Sequence, residues 1–355
     1  FKSRGLGDVY KRQPIGHGSR VRYRLNFRKN IAARCKGTRV LFASTVLTGC
    51  EKTDASRLSP LQQAVAGEGG QDDDVAIKNM ILDVSMGNNN KLLGNDKALE
   101  DLIGPIVPNS KIVIVRYSLE SFKLPVMGQR ALVAAWPSNK DAAMIAKTLN
   151  EVVRQVQQLC LPVELKDLPQ ASPQRNYDLE QLRRAHSAAG EADSEERASK
   201  RQKMMAEACQ QRWVPTEDFA LPEQLRSQLA RLPKVTPATE IHSLILAHRG
   251  QCLFHDLSES ERHLLSDAHN TSFRSLRIQE NRIPELKAAS DVLCLYRGKF
   301  SLLMPVDLLT CLGYEHGSVG LGLLTTAAAR AAVAEALPVP AAVAMLVAAA
   351  KLASM

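Results

Sequence analysis

The chain has 355 residues, a length that suits one moderately large domain or two small ones with a buried core. With 45% hydrophobic and 23% charged residues, its composition is ordinary for a soluble globular protein. The formal net charge of +9 is compatible with nucleic-acid contact but does not require it.

The seven cysteines are odd in number, scattered and without a Cys-x-x-Cys pair. This pattern argues against a disulfide framework and a zinc site, and it predicts an intracellular location, nuclear or cytoplasmic. His242, His248 and His255 lack a cysteine or carboxylate that completes a ligand set, so we interpret them as satisfied or surface histidines and expect no metal. The apolar run Ala336–Ala350 is too short to span a bilayer, so we expect a buried terminal helix after Pro340 and no membrane contact.

The first residues of the chain are set aside from the fold. Residues 3–13 read like a translated sequencing adapter and the chain begins with Phe1, so we expect residues 1–13 to be an adapter-derived artefact and a domain start to be missing. Residues 14–36 form a basic leader without an acidic residue. This leader is either a DNA-contacting arm or a partly out-of-frame or disordered segment.

Between residues 37 and 159, apolar runs typical of buried strands alternate with segments of helical periodicity. We predict strands at 39–47, 80–84, 112–115 and, more weakly, 131–135, and helices at 95–103 and 140–159. Because helices lie between buried strands, the pattern predicts an α/β domain with a mostly parallel sheet and crossover connections.

From Pro162 the chain becomes polar, and residues 178–212 read as a charged helical segment. Within it, residues 199–203 form either a weak nuclear-localisation or phosphate-contacting patch or, the favoured interpretation, a solvated helix face. An irregular mixed module follows, then a strand at 292–296 and Ala-rich helical sequence. The predicted domains are therefore a core at 37–165, a module at 166–290 and a return to the core at 291–355.

The stretch Thr48–Leu58 resembles the Gly-Phe-Pro-Cys-Thr-Asp-Ala-Ser loop that carries the nucleophile of C5 cytosine-specific DNA methyltransferases. The residues that match in this register are Gly49, Thr53, Asp54, Ala55 and Ser56. Lys52 occupies the position of the nucleophilic cysteine. With an ordinary pKa of about 10.4, a lysine amine is protonated at neutral pH and replaces a thiolate poorly. Cys50, two residues earlier, is the alternative nucleophile in a shifted loop.

Two further stretches are similar to motifs of that family. Leu82-Asp83-Val84-Ser85 matches its Glu-Asn-Val-Pro motif, in which the glutamate binds the cytosine edge and protonates N3. Leu82 stands at the glutamate position and cannot exchange a proton. Residues 122–133 resemble Phe-Gly-Leu-Pro-Gln-x-Arg-x-Arg followed by a strand, with Arg130 at the second arginine and Gly128 at the first. In the family this arginine donates to phosphate and to the target base.

The C-terminal part also resembles the family. Residues 301–314 are similar to Arg-x-Leu-Thr-Pro-x-Glu-x-Leu-x-Leu-x-Gly-Tyr, and residues 270–286 are similar to the segment that leads back from the recognition module. Residues 334–340 resemble Gly-Asn-Ala-Met-Pro-Val-Pro, which lines the S-adenosylmethionine pocket and implies cofactor contacts at Glu335, Ala336 and Pro338. Glu335 replaces the asparagine of this motif and would repel the carboxylate of the cofactor.

The resemblance covers roughly residues 37–350 and implies a Rossmann-like methyltransferase sheet with a smaller inserted recognition-type module. It implies methyl transfer from S-adenosylmethionine to cytosine C5 in DNA. The Phe-x-Gly-x-Gly cofactor loop does not precede the first strand, so we expect an N-terminally truncated member with doubtful cofactor binding. Because Lys52 and Leu82 lack the required chemistry, we expect catalysis to be lost and DNA binding or regulation to remain. The alternatives are an active enzyme that uses Cys50 and an unrelated α/β binding protein.

Overall fold

A computed structural model describes residues 40–47, 51–66, 79–86, 91–137, 139–169, 171–188, 194–254, 256–287, 289–316, 318–319, 321 and 324–355. The chain divides into two compact units. The first takes in the chain through Tyr117, Gln129–Val156 and Ala341–Met355, and the second takes in Ser118–Gly128 and Gln157–Pro340. The leader at 14–36 and Cys50 lie outside the described residues.

The strands are β1 (Val40–Leu47), β2 (Asn79–Met86), β3 (Ser110–Ser118), β4 (Gln129–Pro137), β5 (Leu264–Asp267), β6 (Gln279–Glu280), β7 (Val292–Tyr296) and β8 (Lys299–Leu302). The α-helices are α1 (Glu51–Ala66), α2 (Asp96–Ile103), α3 (Ala142–Leu159), α4 (Pro173–Ala188), α5 (Ser194–Gln210), α6 (Glu223–Leu229), α7 (Pro237–Leu253), α8 (Pro305–Cys311), α9 (Thr326–Ala334) and α10 (Val339–Ser354). Short 3-10 turns occur at Gly104–Ile106, Leu119–Phe122 and Leu165–Asp167.

The first unit is built on a four-stranded sheet with the order β1-β2-β4-β3. Strand β1 pairs with β2 in parallel, whereas β2 pairs with β4 in antiparallel orientation. The α/β class predicted from sequence is therefore confirmed, but the sheet is mixed and the prediction of a mostly parallel sheet was wrong. The reason is that a continuous apolar run reports burial on both faces of a strand and carries no information about strand direction.

One face of this sheet is covered by α1 and α2. Alternate residues of β1, β2 and β4 point toward these helices and form one apolar cluster with them. Its strand residues include Leu41, Met80, Leu82, Val84 and Val133, and its helix residues include Leu58, Leu61, Leu99 and Ile103. The intervening strand residues must face the other side of the sheet. The two faces of β2 therefore have different surroundings, and that difference positions the candidate site.

Helices α3 and α10 also belong to the first unit. Lys351 on α10 donates to Gln155 on α3 across 3.1 Å and lies 3.7 Å from the carboxylate of Glu151. Helix α3 carries a buried stripe at helical spacing, as the periodicity of 140–159 predicted, with Ile145, Leu149, Val152, Val153 and Val156 inside. Helix α10 begins at Val339, so Pro340 lies in its first turn, where a missing N–H costs little.

The second unit contains helices α4 to α9 and an antiparallel sheet with the order β6-β5-β7-β8. Helices α4 and α5 cover most of the charged segment 178–212 that was predicted to be helical, and residues 189–193 between them lie outside the described residues. Helix α7 is buried on most of its circumference and forms the centre of this unit's core, where Ile241, Ile245 and Leu246 have no exposed surface.

A buried charge cluster fastens α4 and α8 in the second unit. Asp307 accepts the Met304 N–H at 2.9 Å and so caps the start of α8, and Arg175 of α4 lies 3.2 Å from the same carboxylate oxygen. One turn further along α4, Asp178 is fully buried. Its Oδ1 accepts from Gln174 at 3.0 Å, and its Oδ2 has no hydrogen-bond partner among the residues that the structure describes. Burial raises the pKa of Asp178 to about 6, although the Gln174 hydrogen bond opposes the shift.

Among the described residues, no single helix is long and apolar enough to cross a bilayer. Helices α9 and α10 meet that criterion only as a pair, bent by 43° at the break between them.

The raised pKa of Asp178 generates a prediction about stability. A carboxylate whose pKa is higher in the folded than in the unfolded protein lowers the free energy of unfolding as pH rises from about 4 to about 6. Asp178→Asn removes this dependence while it keeps an oxygen for Gln174. We expect the variant to be more stable than the parent by about 2 kcal/mol at pH 7 and equally stable near pH 4.

Urea denaturation across this pH range measures the difference. Glu180→Gln, on the exposed side of the same helix, is the matched control and should leave the pH profile unchanged. A stability difference between Asp178→Asn and the parent that does not vary with pH would contradict the assignment.

Candidate functional site

Three strand ends meet at one edge of the first sheet. The register pairs Leu47 with Met86 and Met86 with Gln129, so the carboxyl ends of β1 and β2 lie beside the amino end of β4. Ligands of open α/β sheets bind outside the carboxyl ends of the strands, because loops and helix starts converge there. This edge is therefore where a binding site is expected, and it is where two of the sequence-predicted residues lie.

Lys52 lies in the first turn of α1, directly after β1, rather than in an extended loop. Helix α1 is tied to the end of the strand, because the Arg57 guanidinium donates to the carbonyl oxygen of Val46. The backbone of Lys52 is thus at the edge of the sheet described above. Cys50, the alternative nucleophile, lies outside the described residues.

Leu82 lies in the middle of β2 and has no exposed surface. It pairs in register with Ala43 on one side and with Val133 on the other, and it packs into the cluster beneath α1 and α2. The structure therefore does not bring Leu82 and Arg130 together, because the two side chains leave the sheet on opposite faces. Position 82 is a core position in this fold.

The carboxylate that meets Arg130 is that of Asp83. Arg130 is opposite Ser85 in the register, on the same face as Asp83, and its Nη1 lies 3.3 Å from Asp83 Oδ2. Ser44 donates to that oxygen at 3.2 Å, and the hydroxyl of Tyr117 donates to Oδ1. Asp83 has no exposed surface, and Arg130 is 3% exposed. The arginine is therefore held inside the protein by a carboxylate whose two oxygens are both engaged.

Burial, reinforced by the neighbouring Asp83 carboxylate, raises the pKa of Tyr117 well above its ordinary value, although Arg130 opposes the shift. Tyr117 is consequently a neutral hydrogen-bond donor at any physiological pH. Nε and Nη1 of Arg130 have no partner with hydrogen-bond geometry among the described residues. The ion pair with Asp83 is therefore a close contact of opposite charges without bidentate hydrogen bonds. This polar group, which we call the Asp83 cluster, consists of Ser44, Asp83, Tyr117 and Arg130.

The residues expected to contact the cofactor belong to the second unit. Glu335 ends α9 and is exposed, Ala336 is half-buried, and Pro338 is buried. The segment is fixed by a hydrogen bond of 2.7 Å from the Tyr314 hydroxyl to the carbonyl oxygen of Leu337. A carboxylate at Glu335 would repel the carboxylate at the methionine end of S-adenosylmethionine.

Cys294, Cys311 and His242 are core residues rather than parts of a second site. Burial raises the pKa of Cys294 to about 12 and raises that of Cys311 well above its ordinary value, so neither thiol ionises at neutral pH. His242 is a satisfied core histidine, with Nδ1 2.7 Å from the Ser266 hydroxyl and Nε2 2.7 Å from the Asn270 carbonyl oxygen. Within the described residues, no three histidine, cysteine or acidic side chains are grouped to hold a metal ion.

Sequence reasoning missed Asp83 and Tyr117. A signal for Asp83 was present, because a carboxylate inside the apolar run 80–84 must find a charged partner if the strand is buried on both faces. Tyr117 lies beyond the predicted strand 112–115, and only the longer β3 brings its hydroxyl to the carboxylate.

Comparison with known protein families and with curated proteins finds no match to this chain.

The burial of Leu82 generates a prediction. Leu82→Glu would place a carboxylate in the apolar cluster beneath α1 and α2, so we expect it to lower the free energy of unfolding by at least about 3 kcal/mol. Leu82→Met keeps the volume and should cost less than about 1.5 kcal/mol. Urea denaturation measures both variants. If glutamate is tolerated as well as methionine, position 82 faces an open cleft and the register of β2 is not as described.

The Asp83 cluster generates a second prediction. Arg130→Met leaves a buried carboxylate without its counter-charge, so we expect a loss of about 3–5 kcal/mol of stability. In the double variant with Asp83→Asn, we expect the losses to be non-additive by about 2 kcal/mol, because the two side chains are in direct contact. A cycle on the exposed pair Lys97 and Asp101 is the control and should show little coupling. Additive losses at Asp83 and Arg130 would exclude a working ion pair.

Proposed function

We propose that this chain is a degenerate C5 cytosine-specific DNA methyltransferase that no longer transfers methyl groups and acts by binding DNA. The observation that carries the proposal is the convergence at the edge of the first sheet. Lys52 follows β1 and Arg130 begins β4, and the end of β2 lies between these two strands, in the order of the family motifs. A Rossmann-like methyltransferase sheet is part of this proposal and is supported by the parallel β1–β2 pair flanked by helices.

The missing nucleophile is the first reason to propose loss of catalysis. Cytosine C6 is unreachable inside the base stack, so the base must be flipped out and then attacked by a thiolate. A protonated lysine at position 52 has no free electron pair for that attack. Catalytic roles of this kind each contribute orders of magnitude in rate. Loss of the thiolate alone therefore abolishes measurable turnover.

The acid is the second reason. The cluster geometry favours an alignment shifted by one residue, with Asp83 rather than Leu82 at the glutamate position. Asp83 is shorter than glutamate by one methylene, and its oxygens are engaged by Tyr117, Ser44 and Arg130. A carboxylate saturated in this way cannot also hold and protonate a flipped base. Since Arg130 is 3% exposed and lies against Asp83, it is not available to bind phosphate.

S-adenosylmethionine is the cofactor that the family resemblance implies, and the residues present do not fit it. Glu335 would oppose the cofactor carboxylate, and Pro338 is buried. No step is therefore assigned to the cofactor. The free thiols at Cys160, Cys209, Cys252, Cys294 and Cys311 support an intracellular location, nuclear or cytoplasmic, as part of the proposal.

The proposal predicts no incorporation of tritiated methyl groups from S-adenosylmethionine into cytosine of duplex DNA above a heat-killed sample. Lys52→Cys should remain inactive as well, because Asp83 stays locked in its cluster. The same preparation should bind duplex DNA at low salt, with an affinity that falls steeply as salt rises, and should give no heat on titration with S-adenosylmethionine.

Methyl incorporation by the parent chain would overturn the proposal, and its loss in Cys50→Ala would then identify Cys50 as the nucleophile. Absence of both DNA binding and methyl transfer would favour an unrelated α/β binding protein. A parent that binds S-adenosylmethionine tightly but not DNA would revive the enzyme hypothesis.

A further inference from the structure

The connection between β5 and β6, residues 268–278, is an exposed segment without any acidic residue. We call it the arginine loop, because it carries Arg274 and Arg277. Both arginines are exposed, as are Thr271, Ser272 and Ser275. Within the described part of the chain, neither guanidinium forms an ion pair. The loop therefore presents positive charge and hydroxyl groups to solvent without internal neutralisation.

The backbone of the arginine loop is fixed from beneath. Phe273 is 1% exposed and Leu276 is also buried, and both belong to the core of the second unit. The Trp213 indole N–H donates to the carbonyl oxygen of Phe273 at 2.8 Å, and His242 Nε2 lies 2.7 Å from the carbonyl oxygen of Asn270. Because inward and outward residues are interleaved, the anchors determine where the two guanidinium groups project.

A third arginine adjoins this loop. Arg212 directly precedes Trp213, is exposed and has a positive φ of 59°. Arg212 is thus adjacent in sequence to the residue whose indole contacts the loop. The carboxylate of Glu207 lies at the inner side of this region, where it accepts the Phe273 N–H at 3.3 Å.

The other basic residues expected to hold DNA are less available. Arg130 is enclosed in the Asp83 cluster. On α5, Arg197 and Arg201 share Glu240, with N–O distances of 2.8 and 3.0 Å, and on α4 Arg184 pairs with Glu180 at 3.0 Å. Lys200 and Lys203 remain exposed on α5, but they share that helix with the acidic residues Glu195 and Glu196, whereas the arginine loop has no acidic residue.

We propose that the arginine loop together with Arg212 binds the phosphate backbone of duplex DNA. The choice of DNA rests on the proposed function, and the choice of surface rests on the anchored, acid-free loop. Guanidinium groups match phosphate oxygens with paired donors, and serine and threonine hydroxyls add neutral hydrogen bonds to the same backbone. A loop whose backbone is already fixed loses little conformational entropy on binding.

The test compares full-length variants by fluorescence anisotropy with a labelled duplex of about 20 base pairs between about 50 and 200 mM salt. Each lost phosphate contact lowers the slope of log affinity against log salt by about 0.9, so Arg274→Gln/Arg277→Gln should lower it by about 1.8. The loss of affinity across this salt range then becomes about tenfold smaller than in the parent. Lys200→Gln/Lys203→Gln removes the same charge elsewhere and should change the slope far less.

Circular dichroism melting checks that the loop variant folds as the parent does. If the loop variant does not fold, Arg212→Gln alone is tested in its place, with an expected slope change of about 0.9. If the parent binds duplex DNA and the loop variant binds it with the same affinity and the same salt slope, the arginine loop is not the binding surface, and the proposed function still stands. If Lys200→Gln/Lys203→Gln lowers the affinity and the salt slope as much as the loop variant does, the assignment of the binding surface to the arginine loop is also wrong. A parent that does not bind duplex DNA at the lowest salt overturns both, and tighter binding to an RNA duplex of equal length overturns the choice of DNA.

Discussion

The buried ion pair between Asp83 and Arg130 constrains both the construction of the first sheet and what that sheet can do. Two charges without solvent require one another, since either one alone would cost several kcal/mol, about 3–5 in buried pairs of this kind. They meet only if β4 runs antiparallel to β2 with Arg130 opposite Ser85. A slip of β4 by one residue would send Arg130 to the other face of the sheet and leave both charges buried and unpaired. The pair thus specifies register, and the same contact removes the arginine from any ligand.

Sequence reasoning located the elements of the first unit well, because burial leaves a local signature. Predicted strands at 39–47 and 131–135 correspond to β1 and β4, and the predicted helix at 95–103 corresponds to α2, which Asn95 caps by accepting the Ala98 N–H. Strand order and direction left no such signature. The position of β4 between β2 and β3 depends on contacts between segments far apart in sequence, and an apolar run is compatible with any of these arrangements.

The candidate site shows the same limit at the level of single residues. A motif alignment can be wrong by one residue and still look good. In a strand, an error of one residue moves the side chain to the opposite face of the sheet, because adjacent side chains point to opposite faces. Leu82 and Asp83 are neighbours in sequence, yet the first lies in an apolar core and the second in a polar cluster. The ion-pair partners of basic residues were not readable from sequence for a related reason. The acidic partner of Arg197 and Arg201 is Glu240, on a different helix, so residues 199–203 read as more positive in sequence than in space.

Catalysis and binding place unequal demands on the residues that carry them, which explains why one can disappear while the other persists. In the function proposed above, methyl transfer to cytosine requires a thiolate at a single position, and a lysine at position 52 would remove that reaction. Phosphate binding requires only positive charge on a surface whose backbone is held in place, and each contact contributes independently of the others. The backbone of the arginine loop is held by Phe273, Leu276 and Trp213, which belong to the second unit, whereas the residues of the Asp83 cluster belong to the first. The residues that hold the loop are therefore different from those that the proposed loss of catalysis affects, so DNA binding through the loop does not depend on a working catalytic site.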